Sequence, residues 1–109
     1  MMRSLRPIPA RLLADDAVVR EPDGAGGFDE GVAVSHVRFV RKQSVVDDDH
    51  RSANAGAGKV YVDALNSIGA FEVPAGSRVD IGGRSYYVTE CKRCEDFNGR
   101  VHHWELVVR

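Results

Sequence analysis

The residues whose types and spacing could do chemistry sit near the end of the chain: Cys91-x-x-Cys94, then His102 and His103. Two thiolates and two imidazoles are a ligand set of structural zinc. The surrounding pattern reads as strand, and successive residues of a strand point to opposite faces. His102 and His103 then do not easily reach one ion, and Cys91 and Cys94 differ in parity, unless a bulge or knuckle intervenes. We read all four as strand residues and expect no metal and no cofactor. The zinc alternative names Cys91, Cys94 and His102. A redox Cys-x-x-Cys wants a helix N-terminus to lower its thiol pKa, and no helix is expected there.

Other candidates are weaker. Asp47-Asp48-Asp49-His50 lacks the alternating spacing and closing Glu of a calcium loop, so a solvated charge run is the simpler reading. Gly56-Ala57-Gly58-Lys59 resembles a phosphate loop only in its last residues. Ala53 stands where the first glycine belongs, and Val60 follows the lysine. No serine or cysteine has a local base and orienting group, so no enzyme is expected. Trp104 and the tyrosines could stack on bases, but there is no basic stripe beside them. They read as core or as a subunit interface.

The elements that must position these residues are strands. Gly76 to Arg109 reads strand, Gly82-Gly83, strand, Asn98-Gly99, strand: a three-stranded meander with tight-turn glycines. Upstream, strands are expected at Ala17 to Arg20, Val32 to Arg41 and Lys59 to Leu65, with at most one short helix at Ala10 to Ala14. The facing of Val32 to Arg41 is ambiguous. Val37 and Phe39 share one parity, Val32, Val34 and Val40 the other, and a bulge would reconcile them. Phe28 is a candidate anchor for the Glu21 to Gly31 loop, and Phe71 and Val73 for the connection 66–75. Leu106-Val107-Val108 is apolar on both faces, which requires cover from the domain or from another subunit. Trp104, Leu106, Val107 and Val108 are therefore the candidate interface. The total is an all-β domain of about six antiparallel strands, a small barrel or sandwich, over residues 1–109. An extended arm covers 1–9, and a long flexible loop covers 42–58.

The bulk properties agree. The chain has 109 residues, 43% apolar and 28% charged, with a formal net charge of −1. That balance lacks the footprint of a protein that grips nucleic acid. No apolar run approaches the ~20 residues of a membrane span. The first residues lack the apolar core of a signal peptide, so an intracellular or virion-borne protein is expected. Two cysteines are too few for a disulfide framework.

In order along the chain, Ile8-Pro9-Ala10-Arg11-Leu12-Leu13, Val37-Arg38, Val60 to Ser67 with its Asp63-x-x-Asn66-Ser67, Gly83 to Val88, and His102 to Leu106 resemble the minor capsid proteins of tailed phages of Gram-positive hosts, the head–tail connector or stopper family. The resemblance implies a small β-barrel that forms a homo-oligomeric ring below the portal and adaptor, joins the tail, and lets a long loop reach the channel to help retain packaged DNA. It implies a virion protein of the head–tail junction, made in the bacterial cytoplasm. The matching loop carries Val45, Val46, Asp47, Asp48, Asp49, His50 and Arg51. Its aspartates would repel phosphates over about 8–10 Å without sequence specificity. The triple aspartate and the Cys-x-x-Cys depart from the family pattern. An adaptor or tail-completion ring, or a small zinc- or nucleic-acid-binding barrel, are the alternatives.

Overall fold

The computed structural model describes residues 6–41 and 58–109. The chain forms β1 (Asp15–Arg20), β2 (Val32–Arg41), β3 (Gly58–Asp63), β4 (Arg78–Ile81), β5 (Arg84–Glu95) and β6 (Val101–Val108), after a 3-10 turn at Ala10–Leu12. All pairings are antiparallel, and the sheet closes as a barrel in the order β1-β2-β3-β6-β5-β4. The expected all-β barrel is therefore what the sequence forms. The meander is β4-β5-β6. Gly82 and Gly83 join β4 to β5 with φ of 61° and 80°, the paired left-handed conformation of a two-residue hairpin turn. Asn98-Gly99 lies in a longer loop, closed by Asp96 N–H donating to the Arg100 carbonyl at 2.8 Å.

Inward-facing residues are mostly β-branched and small: Val19, Val34, Val37, Val60, Val79 and Val108 are nearly or wholly buried. They fill the lumen, so the barrel is a packed core and not a pore. Phe71 and Val73, in the β3–β4 connection, pack against this core as anticipated. Phe28 instead packs on the exposed Tyr87, with ring centroids 6.2 Å apart.

Three bulges set the facing of side chains. In β1–β2, Asp15 opposes Val37 and Asp16 opposes Ser35, which leaves His36 as the extra residue. His36 has a φ of 59°. This one residue lets Val34 and Val37, of opposite parity, both face the core, and so resolves the ambiguity of the strand. In β5–β6, Thr89 is extra on β5, and His102 is extra on β6 between the Cys94–His103 and Glu95–Val101 pairs.

Candidate functional site

Two constructions stand out, and they meet at His102. The first is a clasp built on Asp63, at the end of β3 and wholly buried. Its Oδ1 accepts the Ile8 N–H at 2.8 Å, and its Oδ2 accepts the N–H groups of Leu65 and Asn66 at 2.9 and 2.8 Å. Asn66 Nδ2 donates to the Ile8 carbonyl at 2.8 Å, so both backbone groups of Ile8 are held. Ser67 Oγ accepts the Asp63 N–H at 2.8 Å and donates to the carbonyl of the bulged His36. The prolines on either side of Ile8 keep the arm extended, which presents its N–H and C=O sideways to the clasp.

The second construction lies on the outer face of β5, β6 and β3. The His102 bulge cancels the alternation that should part the two histidines. Their Nδ1 atoms are 2.8 Å apart, with the rings nearly perpendicular at 82°. His102 Nε2 contacts the Arg6 carbonyl of the arm. His103 Nε2 is 3.1 Å from Glu105 Oε2, and the Cys94 thiol donates to the same oxygen at 3.7 Å. Lys59 Nζ lies 3.5 Å from the other oxygen, Oε1. The three residues are half-buried, and one ligating atom from each lies within 4.8 Å of the others.

The hydrogen bond with His103 holds the Glu105 carboxyl below its ordinary range, against burial and with help from Lys59. Burial, then the charge of Glu105 and the hydrogen bond to it, push the Cys94 thiol up. Burial likewise raises Cys91, with the charges of Glu72 and Cys94 adding to it. Neither thiol is a ready thiolate at neutral pH.

The sequence leads to an expectation of no metal, with Cys91, Cys94 and His102 as the zinc alternative. The structure separates them: Cys91 packs against the barrel core, while Cys94 faces outward. His103 and Glu105 take the places next to Cys94, and His102 stands behind His103. The signal for this grouping was in the sequence. His103 and Glu105 are two apart on one face of a strand, but placing Cys94 opposite His103 requires the hairpin register. Of the candidate interface residues, Trp104, Leu106 and Val108 point into the barrel, and only Val107 is on the outer face, half-buried. The Trp104 indole N–H donates to Glu72 Oε1 at 3.2 Å. Val45, Val46, Asp47, Asp48, Asp49, His50 and Arg51 lie outside the described residues. Among the described residues, no helix is long and apolar enough to cross a membrane. No protein-family model, no curated protein and no solved structure matches the chain.

Proposed function

We propose that this chain is a structural head–tail connector, a stopper, of a tailed phage or prophage. It assembles as a homo-oligomeric ring below the portal and adaptor, receives the tail or its completion protein, and helps to retain packaged DNA. It resides in the host cytoplasm before assembly and at the neck of the virion afterwards.

One observation carries the reading. The segments that resemble the stopper family are scattered along the sequence, yet several of them meet in one joint. Ile8 of the arm, Asp63, Asn66 and Ser67 after β3, the His36 carbonyl beside Val37, and His102 of β6 are linked by hydrogen bonds. The meeting of these stretches in one joint is what supports the reading. A second feature is compatible with a loop that reaches into a channel. Arg41 and Gly58 are paired across β2 and β3, so the sixteen residues between them start and finish at one place on the barrel rim. A single barrel with its lumen filled gives DNA no passage, so in this reading the channel is the central hole of the ring. Closure pairs most strand edges, and β5 beyond Val88 is left with β6 as its one strand partner, so ring contacts fall mainly to faces and connections. Leu65, Ile68 and Phe97, the most exposed large apolar residues, are the contact candidates.

The test is to purify particles from the element that encodes the chain and look for the protein by mass spectrometry. The expected result is a virion protein, together with filled heads that lose DNA and lack tails when the gene is deleted. Absence of the protein from assembled particles overturns the proposal.

A further inference from the structure

The joint behind the connector reading uses the backbone carbonyl of His102 and none of the side chains of the outer-face cluster of β5 and β6. Cys94, His103 and Glu105 each offer one ligating atom there, all within 4.8 Å of one another. The Arg6 carbonyl only accepts, so it favours the His102 tautomer with its hydrogen on Nε2, and the 2.8 Å Nδ1–Nδ1 contact then takes its hydrogen from His103. His103 Nε2 is left with a lone pair beside the Glu105 carboxylate, an arrangement that a metal ion would bridge.

Two of the three ligand spacings are close to those of a bound metal, and the third, Cys94 to His103, is within 4.8 Å. Bonds of ~2.0–2.3 Å at tetrahedral angles put neighbouring ligand atoms about 3.3–3.5 Å apart. Glu105 Oε2 lies 3.1 Å from His103 Nε2 and 3.7 Å from Cys94 Sγ. With an ion at Nε2, His103 is neutral, its Nδ1–H donates to His102 Nδ1, and His102 Nε2–H donates to Arg6. Every ring nitrogen is then satisfied, and the ligand is oriented from behind as metal-bound histidines require. Lys59 occupies only Oε1 and leaves Oε2 to the ion.

We propose that Cys94, His103 and Glu105 form a three-ligand site for a zinc-class divalent transition-metal ion, with His102 as its positioning residue. A thiolate, an imidazole and a carboxylate suit such an ion, and the two anionic groups balance its charge. Binding forms one bond from each ligand to the ion. It releases the thiol proton of Cys94 to solvent. The fourth position is open to water or to a group from a neighbouring molecule. The ion ties β5 to β6, and through His102 to the arm. The proposal does not depend on the connector reading.

Cobalt(II) titration of the chelator-treated full chain tests it. The expected result is equimolar binding with tetrahedral d–d bands and a thiolate-to-cobalt charge-transfer band, displaced by zinc. Cys91→Ser keeps the spectrum and Cys94→Ser loses the charge-transfer band. His102→Phe keeps the spectrum with affinity lowered by ~10–100-fold. No charge-transfer band in the native chain, a band that survives Cys94→Ser, or one lost equally in Cys91→Ser overturns the proposal. Should Cys94→Ser fail to fold, alkylation of the native chain decides. Zinc shields Cys94 and leaves Cys91 unchanged if the site exists, and no selective shielding refutes it.

Discussion

Asp63 has no exposed surface, yet its carboxylate takes three backbone N–H groups, one of them from a residue 55 positions away. Removing it leaves those donors without an acceptor, and charge-assisted hydrogen bonds are among the stronger kind. Asp63→Ala is expected to lower stability by about 3 kcal/mol. Urea unfolding followed by Trp104, the single tryptophan, measures the loss. The same variant frees the arm, so trypsin should cut after Arg11 sooner than in the native chain. Asp80 gives a pH dependence. Burial works against its ionisation, but hydrogen bonds from Ser85, Arg78 and Arg20 outweigh it and hold the carboxyl below its ordinary value. Glu105 is also lowered, chiefly by His103. A carboxyl depressed in the folded state contributes stability above its unfolded pKa, and that contribution disappears as pH falls through the folded value. Stability should thus be level from neutral pH down to about 5 and fall below about 4. Asp80→Asn should be less stable at neutral pH and decline less steeply in acid. An equal decline in the two proteins, seen in urea midpoints against pH, would contradict the assignment.

At the scale of elements, the bulges decide which side chains can meet. His36 holds a left-handed φ of 59° while its side chain is exposed, so the ring gains nothing that offsets the strain. Its N–H is 3.3 Å from Asp16 Oδ1 and its carbonyl accepts from Ser67, and both contacts are backbone on the His36 side. His36→Gly keeps both and relieves the Cβ clash. It is expected to raise stability by up to about 1 kcal/mol, and His36→Val to lower it by about 1–2 kcal/mol. Thermal unfolding of the two variants gives the signs, and the opposite order would mean that the ring is doing something that its exposure does not show. The His102 bulge has the corresponding role in β6. Without it, the two imidazoles would lie on opposite faces, and the contacts of His102 with His103 and with the arm would not form.

Over the whole molecule, closure pairs most strand edges and packing fills the lumen, so recognition is left mainly to the outer surface and the connections. Leu65 and Ile68 are 76% and 61% exposed, too exposed to matter to the fold. The double change Leu65→Ser and Ile68→Ser should alter stability by less than about 0.5 kcal/mol per site and, under the proposed connector role, prevent incorporation into particles. Normal incorporation would remove this surface from the ring contact. Trp104, Leu106 and Val108 cannot be tested in that way, because shortening them opens a cavity in the core and lowers stability first.

The sequence by itself determined the strands and their turns. Period-two alternation and paired glycines are local signals, and they were enough to place β4, β5 and β6, the connection anchors Phe71 and Val73, and the need for a bulge in β2. It also indicated the arm through Pro7-Ile8-Pro9. The tertiary structure decided which partners those elements find. Closure between β1 and β4 and the pairing of β3 with β6 join residues far apart in the chain, and no local pattern encodes that register. The same distance hid the two sites. Asp63 reads as one more strand-end acid until the arm and β3 are brought together. Cys94 reads as half of a Cys-x-x-Cys until the hairpin register sets it beside His103 and Glu105, with Cys91 turned toward the core.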